Sequence, residues 1–225
     1  MNKSTTISIL VFALIAAGAW YVMSRGSVPV AEEIKADPKN ATYTIEGQTV
    51  VLKDGYSEAP SAPGSAQMNV TQYFGNDATG DLNGDGMIDA AFVLTQTGGG
   101  SGTFYYVVAA LKTAAGYEGT NAVLLGDRIA PQSTAITNGE VVVNYATRKN
   151  EEPMTAQPSV GVSKYLRVDG TTLVEAPPVV ALGEHCGGNM MNAPVCAEGL
   201  HCAATPGSHL PMGDVGGTCV SGQAE

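Results

Sequence analysis

The chain has 225 residues, 44% of them hydrophobic, and carries 21 acidic against 11 basic side chains for a formal net charge of −10. That hydrophobic share supports a packed core and excludes global disorder, and the length suits one ordinary domain plus a small extra module. The negative balance excludes nucleic acid as a partner, because phosphate is repelled, Arg148 and Lys149 form the only adjacent basic pair, and aromatics at 6% offer no stacking platform.

Residues 7–23 form an apolar run of 17, broken only by the hydroxyl of Ser8, with Lys3 before it and Arg25 after it. At helical rise it spans about 26 Å, near the lower limit for a bilayer core. Ala17-Gly18-Ala19 satisfies the small-x-small rule of a cleavable signal peptide, which is the alternative reading. The run continues through Trp20, Tyr21 and Val22, as an interfacial aromatic belt does, so residues 1–23 are read as a single transmembrane helix that anchors the chain. Either reading places the remainder outside the cytoplasm. Residues 24–41, with Pro29, Pro38 and mixed charge, read as a stalk.

From residue 42 the segments are short, β-branched or aromatic, and separated by turn dipeptides. Residues 43–45 and 49–52 flank Glu46-Gly47-Gln48 as a hairpin. Residues 68–74 alternate as a strand. Residues 88–94 and 103–111 are the strongest strands, and their long apolar runs predict burial on both faces. The Gly-rich stretch 97–102 between them reads as a flexible connection. Further strands are expected at 122–125, 135–137 and 140–146, with Asn138-Gly139 as the clearest two-residue turn. The last pair is 160–168 and 172–175 around Asp169-Gly170. Residues 107–113 also fit a helix, but no segment sustains a capped 3.6-residue pattern. The expectation is a mainly β domain over 42–176, antiparallel, with sandwich and barrel both open. Residues 177–184 read as a linker and 185–220 as a four-cysteine module.

Residues 81–89 place Asp81, Asn83, Asp85 and Asp89 at positions one, three, five and nine of a tight loop, with Gly86 at the sharp turn. Met87 offers its backbone carbonyl at the seventh position, and Ile88 is expected to tuck into the core beneath. Hard cations take six to eight oxygens, and alternate side chains of such a turn point inward together, so these five residues are read as a structural Ca²⁺ site. The bland alternative is a metal-free Asp/Asn/Gly turn. Phe92 replaces the bidentate Glu of an EF-hand, and a strand follows instead of a helix. The loop resembles the D-x-[DN]-x-D-G-x-x-D calcium loops of dockerin, thrombospondin-type and FG-GAP proteins, and in the FG-GAP case a strand likewise follows directly. The resemblance implies weak affinity, roughly 10⁻⁴ to 10⁻³ M as in extracellular modules. The wider stretch, from YFGNDATGDLNGDG through GGGSGTFYYVVAALK to LLGDRIAPQS, resembles a domain of uncharacterised bacterial extracytoplasmic proteins, which implies a cell-envelope setting and no particular activity.

All four cysteines, Cys186, Cys196, Cys202 and Cys219, lie in the last forty residues. An even count in a short, Gly-rich, exported segment reads as two disulfides, which replace the core that so short a module cannot bury. The pattern C-G-G-N…P-x-C-x-x-G-x-x-C…G-D-x-G-G-x-C resembles a small four-cysteine module of secreted proteins. Three pairings are open; the alternating one, Cys186–Cys202 with Cys196–Cys219, suits a compact knot. Zinc is the lesser alternative, since His185, His201 and His209 fall here but no C-x₂₋₄-C pair exists. Met190, Met191 and Met212 read as gap fillers rather than copper ligands.

Residues 42–176 contain no His and no Cys, no G-x-S-x-G elbow, no H-E-x-x-H, no P-loop Lys and no G-x-G-x-x-G. The sequence therefore reads as a non-enzymatic envelope binding or structural module, anchored in the membrane, with a glycan or a protein as its partner. The alternative is an envelope glycan hydrolase, for which Glu118, Asp127, Glu140 and Asp169 are the candidate carboxylates. The basic and acidic stretch 148–152 is expected to be a solvated loop.

Overall fold

A computed structural model of the chain describes residues 36–189, 193–204 and 215–222. The apolar run 7–23 and most of the stalk lie outside the described residues. Among the described residues, no helix is long and apolar enough to cross a membrane.

The frame is antiparallel. One sheet runs in the order β3 (Tyr56–Pro60), β4 (Met68–Gly80), β5 (Asp89–Thr97), β6 (Phe104–Thr113), β7 (Gly116–Gly119), and β8 (Val123–Asp127) also pairs with β6. A second sheet holds β9 (Ala130–Thr137), β10 (Glu140–Thr147), β11 (Val160–Asp169) and β12 (Thr172–Glu175), in the order β12-β11-β10-β9. A separate hairpin pairs β1 (Thr42–Ile45) with β2 (Gln48–Val51). The turn expected at Asn138-Gly139 joins β9 to β10, and its φ angles of 53° and 71° are those of a type I′ turn.

β5 and β6 are buried on both faces, which is why their sequences run apolar rather than alternating. Ala91, Val93, Val107, Ala109 and Leu111 point to one side and meet Val141, Val143, Tyr145, Leu166 and Leu173 of the second sheet. Ala90, Phe92, Leu94, Tyr106, Val108 and Ala110 point to the other and are covered by Tyr43, Ile45 and Leu52 of the hairpin. Phe92 is the hub of this second core, edge-on to Tyr43 at 5.7 Å and to Tyr73 at 5.5 Å between centroids. Asn121 ties the elements together as a surrogate strand residue. Its Nδ2 donates to the Leu173 carbonyl at 3.0 Å, and its Oδ1 accepts the Leu173 N–H at 2.7 Å.

Residues 107–113 are strand, as the 103–111 reading expected and against the helical alternative, because β5 and β8 pair with the first part of β6 and β5 and β7 with the rest. Two details differ from the sequence expectations. The chain joins the fold before residue 42: a 3₁₀ turn at Pro38–Asn40 is capped by Asp37, the Pro38 carbonyl accepts the Tyr43 hydroxyl at 2.6 Å, and Ala41 is buried. Within the expected linker, β13 (Val179–Val180) pairs in parallel with β15 (Val195–Cys196).

In the tail, β14 (His185–Cys186), β17 (Gly217–Ser221) and β16 (Leu200–Ala204) form a small sheet in that order. The disulfides are Cys186–Cys202 and Cys196–Cys219, the alternating pairing, and Cys186 and Cys219 are fully buried. The linker that leads into the tail is fastened to the second sheet: Glu140 Oε2 accepts the Val179 N–H at 3.3 Å, and Arg167 Nη2 donates to the Pro177 carbonyl at 3.4 Å.

Candidate functional site

The loop 81–89 connects β4 to β5, so its two ends are fixed by a paired ladder. Asp81 gathers the turn, with Oδ1 accepting the Gly84 N–H at 2.7 Å and Oδ2 the Gly86 N–H at 2.9 Å. These amide bonds, the Gly86 one foremost, hold the Asp81 carboxyl below the usual carboxylate range, so it is ionised at neutral pH. Asn83 Oδ1 accepts from the Asp85 N–H at 3.1 Å, Asn83 Nδ2 donates to Asp85 Oδ2 at 3.0 Å, and Asp85 Oδ1 accepts the Met87 N–H at 2.8 Å. Gly86, with φ of 81°, supplies the left-handed residue the sixth position needs.

Asp89 behaves differently from the other acids. It is fully buried, its Oδ2 accepts the Leu82 N–H at 2.8 Å, and its Oδ1 accepts the Lys112 N–H on β6 at 2.7 Å. The carboxylate thus locks the loop's start to the neighbouring strand through the backbone. Strand alternation then turns Ile88 outward, and it is 58% exposed. Leu82, at 5% exposure, is the residue that anchors the loop in the core, in place of the expected Ile88.

The donor chemistry of Asp81, Asn83 and Asp85 fits a hard cation: all three present side-chain oxygens on an exposed loop, and each amide bond leaves an oxygen lone pair free for coordination. Asp89 fits less well, since it is fully buried beneath the exposed turn that carries the other three side chains. Asp77, four residues before Asp81, accepts the Tyr73 hydroxyl.

A second site was not foreseen. The β1–β2 hairpin covers the apolar rows of the first sheet only as far as its turn, where Glu46 accepts the buried Tyr106 hydroxyl at 2.8 Å. One step further along the strands, the same face turns polar: Gln96 lies opposite Thr71 on β4 and Phe104 on β6. Gln96 and Phe104, with Glu46, Gln67, Asn69 and Tyr106, line a cleft of about 250 Å³ that the Gly-rich 98–102 loop borders. Burial, then the Glu46 bond, raises the Tyr106 hydroxyl above its ordinary value, so it stays a donor. The glycines here are a matter of space. A Cβ on Gly99 would come within 2.8 Å of Gln67 Cδ, and one on Gly98 within 2.9 Å of Asn69 Oδ1.

The other candidate acids are dispersed. Asp127 is held by Arg128, with Nη2 to Oδ2 at 2.9 Å, and by the Thr103 N–H at 2.9 Å; this pairing keeps its carboxyl below the usual range. Glu140 is buried 3.5 Å from Arg167 Nε, and burial raises its carboxyl above the ordinary value. Glu118 lines a separate cleft with Tyr117 and Asn40. Asp169 is exposed at the end of β11. Arg148, expected in a solvated loop, spends its guanidinium on the carbonyls of Ala156 at 2.6 Å and Arg128 at 3.0 Å.

In the tail, the sulfurs of Cys186, Cys196 and Cys219 lie within 4.8 Å of one another because the two crosslinks are adjacent. All four sulfurs are bonded to sulfur, and thiolates are what zinc requires. His201 Nδ1 lies 3.0 Å from the Gly222 carbonyl, and His185 is exposed on β14. His209, Met190, Met191 and Met212 lie outside the described residues. Comparison with protein-family models, curated proteins and solved structures finds no match, so the geometry alone bears on function.

Proposed function

We propose that this chain is a non-enzymatic binding or structural module of a cell envelope, held outside the membrane by residues 7–23, stapled by two disulfides and stabilised by Ca²⁺ at the 81–89 loop. The observation that carries the reading is the pairing of all four cysteines in a tail whose linker is hydrogen-bonded to the β domain, an arrangement suited to an oxidising compartment. A bound Ca²⁺ would offset the mutual repulsion of the loop carboxylates. Asp81 and Asp85 supply charge, Asn83 a neutral oxygen and Met87 its carbonyl, while Asp89 fixes the loop to β6. The ion's role is structural.

The hydrolase alternative needs two carboxylates roughly 5–9.5 Å apart across a cleft. The two clefts described above contain one carboxylate each, Glu46 and Glu118. Supporting the binding reading further, Asp127 and Glu140 are committed to ion pairs and backbone amides that hold the fold together.

The test is thermal melting with Ca²⁺ or with EDTA, on wild type and Asp85→Ala. The wild type melts lower in EDTA, and the variant loses that response. Identical wild-type melts in the two conditions remove the ion from the account.

A further inference from the structure

We propose that the cleft beside the 98–102 loop binds a single neutral sugar ring, gripped by the amides of Gln67, Asn69 and Gln96 and the Glu46 carboxylate, with the Phe104 ring against one face. The choice of an envelope sugar rests on the extracytoplasmic reading above; the cleft itself does not.

The lining determines the ligand class. Primary amides donate and accept at once, as sugar hydroxyls do, and three of them surround one space. Glu46 adds an acceptor, and its position is fixed by the Tyr106 hydroxyl. Gln96 is likewise oriented, its Nε2 donating to Thr71 Oγ1 at 3.1 Å, which leaves its carbonyl oxygen for a ligand hydroxyl. Phe104 is 40% exposed at the cleft, and an aromatic face so placed suits the C–H face of a pyranose. The lining contains no Lys, Arg or His, so an anionic ligand has no counter-charge there. At about 250 Å³ the space is smaller than pockets for drug-sized molecules, roughly 300–1,000 Å³, and suits one ring.

The Gly-rich loop is built for this cleft. The backbone at Gly98 and Gly99 lies so close to Asn69 and Gln67 that a methyl group would displace the amides, and a Cβ on Gly102 would come within 3.0 Å of the Phe104 ring. These glycines let the backbone close over polar side chains without filling the space between.

The experiment is saturation-transfer difference NMR on the full chain, in a detergent without a sugar headgroup. The probes are glucose, galactose, mannose and N-acetylglucosamine, with choline and acetate as charged controls. Transfer is expected to at least one sugar, to neither control, and to persist in EDTA. Gln96→Leu and Phe104→Ala, checked for native melting, are expected to bind roughly five- to tenfold more weakly, the scale of one lost polar or stacking contact. Gly99→Ala keeps every named gripping side chain yet shifts Gln67, and is expected to weaken binding as well. Transfer to no sugar, transfer to choline instead, or transfer unchanged in all three variants overturns the proposal. Sugar transfer alongside a melt insensitive to EDTA removes only the calcium reading; an EDTA-sensitive melt without sugar transfer removes only this one.

Discussion

Asp89 separates the fold's own requirement from the ion's. Its two oxygens accept backbone N–H groups from Leu82 and Lys112 at 2.8 and 2.7 Å, and the residue is fully buried. In Asp89→Asn the charge is lost and one oxygen becomes an NH₂ group facing an N–H donor, so one buried amide loses its acceptor. Hydrogen bonds to charged groups contribute about 1.5–3 kcal/mol, and an unsatisfied buried donor costs about 1–3 kcal/mol. The expected loss is therefore about 3 kcal/mol, or a melting point lower by roughly 6–12 °C for a domain of this size. Urea unfolding in EDTA measures it with no ion present. Asp85→Asn is the comparison, since its carboxylate lies on the exposed turn and its loss in EDTA should stay below about 1 kcal/mol. A loss at Asp89 under about 1 kcal/mol in EDTA would refute the reasoning, because the backbone clamp would then be dispensable.

Phe92→Ala removes the ring that Tyr43 and Tyr73 meet edge-on and should cost about 3–5 kcal/mol in urea unfolding. Removing the Cys196–Cys219 crosslink by a double Ser substitution should cost about 3 kcal/mol, the scale for a loop of this order, and native wild type should titrate no free thiol. Asp81 and Asp127 have carboxyls held below their unfolded value of about 3.9, so each contributes stability that is complete above that pH and lost as pH falls through the lower folded value. Urea midpoints should therefore drop on acidification below about pH 4, and Asp127→Asn should flatten that drop. Glu140, raised by burial, has the opposite sign and favours the folded state as it takes up its proton.

Much of the frame was legible because periodicity reports burial. The unbroken apolar runs of β5 and β6 marked strands covered on both faces, and Asn138-Gly139 marked its hairpin. The alternating cysteine pairing also agrees with the structure. Other features depended on partners the local sequence does not name. Residues 107–113 fit helix and strand alike until pairing strands decide. Ile88 and Leu82 exchanged roles because the inward turn of Asp89 sets the alternation, and that turn depends on an amide from β6. The polar cleft was illegible for the same reason. Glu46, Gln67, Asn69, Gln96 and Phe104 come from the hairpin turn and from three strands or their ends, and only the ladder registers bring them together. The one local signal was the Gly-rich 98–102 stretch, which reads as looseness in sequence and as close approach in space.

The central claim is that everything beyond the apolar run lies on the far side of a membrane. An enzymatic reporter that is active only outside the cytoplasm, fused after Glu225, tests it most directly. The account predicts an active reporter in intact cells. A reporter that is silent there, while one active only in the cytoplasm reads out from the same position, would contradict it and deprive both the crosslinks and the ion of their setting.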